Sequence, residues 1–320
     1  MRSGRAPCTF GSMRERHTRG GGRPVHVVAW SRRGTLLFQF WGEALWLLRI
    51  ICRHVRVLAV VVMPDHVHVV LADGADLAAL RRALGTWARA RNRMRGASGP
   101  AWRGKLFVEE IRDPRHLDKL LVYVHRNPVP KGLVTDPLAW PASTYRDALG
   151  LTISPLVVPF PDPERHHALV SSGRKVVRGM IEGGTPLPAG RPGPAAFREV
   201  VAAVCAATRR LPAELLRPGP ARDLLVHVAS RRTELSRARV AAWLRRDPAV
   251  VSRVLARPVP GAAIRSVERL LGDPRFPLLR ATEDLARRPG WAEYRSRALS
   301  LDPPGQPGRH LLRQVLGRGA

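Results

Sequence analysis

The feature that most constrains the fold is a pair of apolar, β-branched segments separated by only two residues. Residues 56–63 (RVLAVVVM) and 66–72 (HVHVVLA) flank Pro64 and Asp65. Short apolar runs rich in β-branched residues indicate strands, and a Pro-Asp pair indicates a turn. The sequence therefore predicts a β-hairpin that turns at residues 64–65.

The segments on either side of this hairpin predict the rest of a first domain. Further strands are predicted at 25–30 and 105–111, and helices at 40–54, after an N-cap at Asp76, and at 116–127. The order β-α-β-β-α-β-α is the split β-α-β, ferredoxin-like pattern with one trailing helix. It predicts an α+β domain over residues 24–150, with a ferredoxin-like antiparallel sheet and helices.

The remainder of the chain has a different character. Residues 151–194 are rich in Pro and Gly and predict a linker with one short helix at 163–172. Residues 195–258 predict an all-α domain, and 259–320 a basic helical tail. The first 23 residues predict a basic disordered tail.

The charge of the chain predicts a polyanionic partner. The sequence has 54 Lys and Arg against 25 Asp and Glu, a formal net charge of +29. Nucleic acid is the first candidate and a membrane surface the second. Residues 36–52 form the most apolar stretch, but Gln39, Glu43 and Arg49 interrupt it, so it predicts a buried helix rather than a membrane span.

Cysteine usage and the N-terminus predict the compartment. Three cysteines lie far apart, which excludes a disulfide scaffold or a cysteine-based zinc finger and fits a reducing cytosol. No signal peptide is visible, because no apolar segment follows the basic start. We therefore expect a cytoplasmic protein.

His66 and His68 are candidate metal ligands. They lie two residues apart on a predicted strand, so both imidazoles project from the same face. Two adjacent imidazoles can hold one divalent ion, although two half-buried strand histidines are the commoner meaning of this spacing.

Tyr123 and Asn127 form a second candidate pair on the predicted helix after the last strand. A spacing of four places both on one helical face. Tyrosine can attack phosphorus as a covalent nucleophile, and an amide oxygen can complete a metal site. Taken alone, Tyr123 could be a core aromatic and Asn127 a helix terminator, but the two pairs together are more specific than either.

These residues carry a resemblance to a known family. Residues 63–71 (MPDHVHVVL) resemble the metal-binding segment of the HUH single-strand nucleases and transposases. Residues 123–134 (YVHRNPVPKGLV) resemble the nucleophile helix of the REP-associated tyrosine transposases in that superfamily. Supporting similarities lie at 26–34, 102–104 and 140–145, and Asp65 stands where the family more often has Asn.

The resemblance implies a specific chemistry. His66, His68 and Asn127 would bind Mg²⁺ or Mn²⁺, and imidazole ligands favour Mn²⁺. Tyr123 would attack a phosphodiester of single-stranded DNA and form a 5′-phosphotyrosine, leaving a 3′-hydroxyl. The implied function is transposition of a palindromic repeat element by nicking and rejoining of hairpin DNA, with a homodimer possible.

Basic residues outside these pairs are candidates for DNA binding. In the first domain they are Arg81, Arg82, Arg89, Arg103 and Lys105. In the second, N-caps at Ser236 and Asp247 predict two short helices joined by a tight turn that lacks the usual Gly, as in a helix-turn-helix. Arg245 and Arg246 would meet phosphate, whereas Ser252 and Arg253 would face the major groove.

The stretch 197–257 also resembles the C-terminal DNA-binding domain of the bacterial replication initiator, although an ordinary helical hairpin would give a similar pattern. Two other functions compete with the transposase: a catalytically inactive, domesticated DNA-binding regulator, and an RNA-binding protein with a ferredoxin-like sheet. The last would need aromatic residues on the central strands, which residues 56–63 and 66–72 lack. His125 is expected at the surface, and Tyr145 is expected to pack rather than react.

Overall fold

The computed structural model describes residues 23–32, 35–173, 184–279 and 291–299. The predicted N-terminal tail lies outside the described residues except for Arg23, as do parts of the predicted linker and of the C-terminal tail. The described chain combines one four-stranded sheet with twelve α-helices, which confirms the α+β class.

The sheet has the strand order β2-β3-β1-β4, and all neighbouring strands are antiparallel. Its strands are β1 (Val25–Trp30), β2 (Val57–Val62), β3 (His66–Leu71) and β4 (Phe107–Glu110). The predicted hairpin is confirmed as β2 and β3. The histidine-bearing strand β3 is central, because β1 and β2 pair with its two sides.

Three helices belong with this sheet: α1 (Trp41–His54), α2 (Leu77–Arg95) and α3 (Pro114–Arg126). Helix α1 contacts β2 and packs along α2, and α3 also contacts β2. Asp113 begins α3, since its carboxylate accepts a hydrogen bond of 2.9 Å from the backbone N–H of His116.

Asp76 stands at the N-cap position of α2, as predicted, but its side chain makes no capping hydrogen bond. It ends a short 3₁₀ turn and has φ −72° and ψ −3°, whereas a capping residue typically has an extended backbone. Its carboxylate instead accepts a hydrogen bond of 3.1 Å from the backbone N–H of Arg56. The residue therefore joins the start of α2 to the start of β2.

A loop segment covers the outer edge of β2. The backbone N–H of Val62 donates to the carbonyl of Ala142 at 2.9 Å, and that of Thr144 donates to the carbonyl of Val60 at 2.9 Å. The indole N–H of Trp140 also donates to the carbonyl of Val62, at 3.0 Å. Residues 140–144 thus satisfy backbone groups that an open strand edge would expose.

The second half of the described chain is helical, as predicted. Its helices are α4 (Tyr145–Ala148), α5 (Pro163–Ser172), α6 (Phe197–Thr208), α7 (Pro212–Leu215), α8 (Pro220–Arg232), α9 (Arg237–Leu244), α10 (Pro248–Leu255), α11 (Gly261–Glu268) and α12 (Trp291–Leu299). The short helix predicted at 163–172 is α5, which packs on α3. None of the described helices is both long and apolar enough to cross a membrane.

The described chain has two hydrophobic cores, and each contains residues from both halves of the sequence. The first surrounds the sheet and also contains Leu279, Trp291 and Tyr294. The second lies among α6, α8, α9, α10 and α11 and also contains Leu138 and Tyr145. Each core therefore includes residues from outside the domain range predicted for it, and the domain boundaries stay a prediction.

Ion pairs join the first 150 residues to the helical half of the chain. The guanidinium of Arg49 on α1 lies 2.9 Å from Glu214 on α7, and Arg275 lies 3.2 Å from Asp136. Arg209 pairs with Asp147, whose side chain is fully buried. Paired charges are the form in which such groups are tolerated in a protein interior.

Candidate active site

The register of β1 and β3 brings three histidines onto one face of the sheet. Val28 lies opposite His68 and Trp30 lies opposite His66, so the alternation of side chains puts His26 on the same face. All three imidazoles are buried. The predicted common face of His66 and His68 thus has a third histidine that sequence reasoning missed.

His66 has a defined proton position. Its Nδ1 lies 2.6 Å from Oδ1 of Asp65, and an ionised carboxylate only accepts hydrogen bonds. Burial raises the pKa of Asp65, but His66 and further hydrogen bonds outweigh it, and the net pKa is lowered. His66 therefore carries a proton on Nδ1, and Nε2 is the ring nitrogen that faces the rest of the site.

His68 is held in the same way by His26. Its Nδ1 lies 3.0 Å from Nε2 of His26, and the two rings stack at 5.3 Å. Burial lowers the pKa of both residues, so both are neutral near pH 7. When His68 donates from Nδ1 to His26, its Nε2 presents a lone pair.

The two strand histidines face each other through these nitrogens. The Nε2 atoms of His66 and His68 lie 3.1 Å apart. At this separation either one nitrogen donates its proton to the other, or a cation can lie between them.

Helix α3 and the residue that follows it contribute the other two side chains of the site, which contact His68 on the histidine-bearing face of the sheet. The ring of Tyr123 meets that of His68 edge-on, with centroids 5.6 Å apart. The side-chain amide nitrogen of Asn127 lies 3.1 Å from Nε2 of His68, and its Oδ1 is buried without a hydrogen-bond partner. Asn127 follows directly after α3, so the end of the helix places it over β3.

The donor atoms fit a divalent cation. Adjacent ligands of an octahedral ion with bonds of about 2.1 Å lie about 3 Å apart, close to the separations between Nε2 of His68 and its two neighbours. Rotating the Asn127 amide by half a turn brings its unpartnered oxygen to His68, and such amide orientations are assignments. Among the described residues, this site included, no group of three or more His, Cys, Asp or Glu is arranged for a metal, so the third donor here would be the amide of Asn127.

Tyr123 is half-buried and neutral near pH 7. Burial raises the pKa of its phenol, and the Asn127 side chain partly offsets the rise. A phenol of this kind becomes a nucleophile only as it loses its proton.

The predicted surface position of His125 is wrong. It is buried, with Tyr145 packed on one side at a ring distance of 4.8 Å and Phe160 and His166 nearby. Helix α5 and residues 156–160 cover the side of α3 that faces away from the sheet. Burial lowers the pKa of His125 to about 3.

Tyr145 packs, as expected. It is fully buried, and its hydroxyl lies 2.8 Å from Nδ1 of His167. This contact assigns Tyr145 to the second core, on the side of α3 away from Tyr123.

The basic residues predicted in the first domain are all exposed. They are Arg81, Arg82, Arg89, Arg103 and Lys105. The first three lie on α2, whereas the backbone N–H of Arg103 donates to the carbonyl of Trp30 at 2.8 Å. Because Trp30 pairs with His66, Arg103 lies at the same end of the sheet as the candidate metal ligands.

The two predicted helix-turn-helix helices are α9 and α10. The hydroxyl of Ser236 accepts from the N–H of Arg239 at 3.3 Å, and the carboxylate of Asp247 accepts from the N–H of Ala249 at 2.7 Å. Both predicted caps are therefore present. Arg245 adopts φ 55° in the turn, the left-handed conformation for which Gly is usual.

The outer side of this helix pair is basic. Arg246, Ser252 and Arg253 are exposed, as predicted, and Val251 and Val254 are buried. Val250, by contrast, is only half-buried. Val250 lies four residues before Val254, on the same side of α10, but it stands in the first turn of the helix, where residues 247–249 are all exposed.

Comparisons with known proteins give one similarity. No protein-family model matches the chain, and no curated protein matches it. Among solved structures, it is similar to a REP-associated tyrosine transposase bound to a REP hairpin, with 22% sequence identity and a TM-score of 0.34. The alignment covers 44% of this chain and 90% of that one.

Proposed function

We propose that this chain is a metal-dependent transposase that nicks and rejoins single-stranded DNA through Tyr123. The observation that carries the proposal is the meeting of four side chains from two elements. His66 and His68 come from β3, and Tyr123 and Asn127 come from α3 and the residue that follows it. Within the proposal, residues 24–150 are the HUH nuclease domain, and the substrate is hairpin DNA of a palindromic repeat.

The side chains have distinct tasks. His66, His68 and Asn127 would hold Mg²⁺ or Mn²⁺, with Mn²⁺ better suited to imidazole ligands. The bound ion would polarise an oxygen of the scissile phosphate and make phosphorus more electrophilic. Asp65 and His26 would keep the two imidazoles in the tautomer that a cation requires.

The reaction is a transesterification. The phenol oxygen of Tyr123 loses its proton and forms a bond to phosphorus, and the bond from phosphorus to the 3′ oxygen breaks. The 3′ oxygen takes up a proton, so the products are a 5′-phosphotyrosine and a free 3′-hydroxyl. Attack of a 3′-hydroxyl on the phosphotyrosine reverses the step, and rejoining needs no energy source.

The helical half would bind duplex DNA. We place Arg253 and Ser252 of α10 in the major groove and Arg245 and Arg246 against phosphate, because all four are exposed on one helix pair. The high positive charge of the whole chain supports a nucleic-acid partner. A cytoplasmic, nucleoid-associated protein and a homodimer are parts of the same proposal.

An RNA-binding sheet is less compatible with the structure. Such a sheet stacks bases on exposed aromatic residues of its central strands. Strand β3 is buried along its whole length, and β1 is covered except at its ends. The central strands therefore offer no open platform for bases.

The test is formation of a covalent adduct. Labelled hairpin DNA is incubated with the protein and Mn²⁺ or Mg²⁺, and a protein–DNA species that resists denaturant is expected. Tyr123→Phe abolishes it and leaves DNA binding intact, whereas the matched control Tyr145→Phe still forms it. His66→Ala and His68→Ala lose metal binding while the domain stays folded.

Other results would change the proposal. An adduct that persists in Tyr123→Phe overturns the assignment of the nucleophile. Sequence-specific DNA binding with no adduct under any metal condition favours the catalytically inactive regulator.

A further inference from the structure

The helix α12 lies against the candidate active site, far from it in sequence. Its residues Trp291 and Tyr294 are buried in the core that surrounds the sheet, and their rings stack at 6.1 Å. The sequence predicts a basic helical tail at residues 259–320. Trp291 and Tyr294 show that part of this segment packs into the first core.

Tyr294 reaches the turn that precedes β3. Its hydroxyl donates a hydrogen bond to Oδ1 of Asp65, the same atom that accepts from Nδ1 of His66. The backbone of Asp65 is also fixed, because its carbonyl accepts from the N–H of Ser31 at 2.8 Å. Two donors on one carboxylate oxygen hold that carboxylate in a single orientation toward His66.

This contact is on the side of the His66 ring that faces away from His68. Asp65 and Tyr294 are on the Nδ1 side of His66, whereas Nε2 faces His68. The hydroxyl of Tyr294 is committed to Asp65, which gives it a role different from that proposed for Tyr123.

We propose that Tyr294 is a positioning residue for the candidate metal site. It orients Asp65, Asp65 orients His66, and His66 presents Nε2 to the cation. This inference rests on the proposed function. It makes a helix near the C-terminus a working part of the nuclease site, and it assigns a role to a tyrosine that lies 229 residues from its hydrogen-bond partner.

The experiment compares Mn²⁺ binding by the full chain and its Tyr294→Phe variant, measured by titration calorimetry without DNA. The variant keeps the ring and its packing and loses only the hydroxyl. Outer partners of metal-bound histidines typically change metal affinity by about 10–100-fold, and a weakening toward the lower end of that range is expected. Tyr145→Phe, which removes a buried hydroxyl elsewhere, leaves Mn²⁺ affinity unchanged.

A double-mutant cycle separates positioning from general destabilisation. Asp65→Ala alone weakens Mn²⁺ binding, and adding Tyr294→Phe to it causes no further loss if Tyr294 acts through Asp65. Thermal unfolding of each variant is followed in parallel to show that the fold persists.

The outcomes are distinguishable. If the parent binds Mn²⁺ and Tyr294→Phe binds it equally well, or if the two losses add, the positioning role is overturned and the proposed function stands. If the parent itself binds no Mn²⁺ and forms no adduct, the proposed function and this inference are both overturned.

Discussion

His26 and His68 face each other across neighbouring strands, with Nε2 of His26 3.0 Å from Nδ1 of His68. The next group behind His26 is Glu109, whose Oε2 lies 3.9 Å from its Nδ1, too far for a direct hydrogen bond. The row Glu109, His26 and His68 thus runs across three strands toward the candidate metal site. Each of the two strand histidines has its own support: Asp65 for His66, and His26 for His68.

We expect His26→Phe to weaken Mn²⁺ binding by roughly 10-fold or more while the domain remains folded. The phenyl ring preserves stacking on His68 but cannot take the Nδ1 proton, so the tautomer of His68 is no longer selected. Titration calorimetry measures the affinity, and circular dichroism confirms the fold. Equal Mn²⁺ affinity in parent and variant would show that His26 only fills space.

We expect the protein to lose stability as the pH falls below about 6.5, in part through His125. Burial lowers its pKa to about 3, so between these values the unfolded chain binds a proton that the folded chain does not. Stability therefore falls with pH across this window, by at most about 1.4 kcal/mol per pH unit from this group. It is measured by urea unfolding at several pH values.

The matched variant for this prediction is His125→Phe. It keeps an aromatic ring against Tyr145 and Phe160 and removes the titrating group. The slope of stability against pH is expected to be smaller in the variant. A slope equal to that of the parent would mean that other buried histidines, such as His166, account for the whole effect.

We expect Arg253→Ala and Arg246→Ala to affect duplex binding differently. A bidentate contact from Arg253 to guanine is worth about 1–3 kcal/mol of discrimination, so its loss flattens sequence preference. Loss of a phosphate contact from Arg246 weakens all sequences alike and reduces the salt slope by about one. Binding of random and genomic duplexes is measured at several salt concentrations.

This measurement uses the whole chain, because the second core extends beyond residues 195–258 to Leu138 and Tyr145. Arg217→Ala, which removes a positive charge at another place in the helical half, is the control for net charge. If all three variants lower affinity equally for every sequence, the helical half is only a basic platform and does not read bases.

Local patterns in the sequence were sufficient to predict the hairpin and the common face of His66 and His68. Strand alternation and the spacing of Tyr123 and Asn127 depend only on neighbours in the chain. The meeting of the two pairs also followed, since β3 is central in the predicted order. The sequence pattern of β1 could have indicated His26, because it alternates in the same way.

The features that were missed depend on contacts between distant segments. His125 is buried because α5 and residues 156–160 cover the back of α3, and nothing in the helix itself indicates that cover. Tyr294 reaches Asp65 through tertiary packing for which the sequence has no signal. The carboxylate of Asp76 accepts from the backbone N–H of Arg56 and not from an N–H of α2, because a 3₁₀ turn precedes the helix.

The ion pairs between the first domain and the helical half have a consequence for the proposed DNA binding. Arg49 pairs with Glu214 and Arg209 pairs with the buried Asp147, so both pairs tie the sheet-bearing part of the chain to the helical part. A duplex rotates once in about 10–10.5 base pairs, so under the proposed function its groove would face α10 only at certain distances from a hairpin at Tyr123. The protein would then discriminate rotational phase, and half a turn of extra duplex would present the wrong side of the DNA.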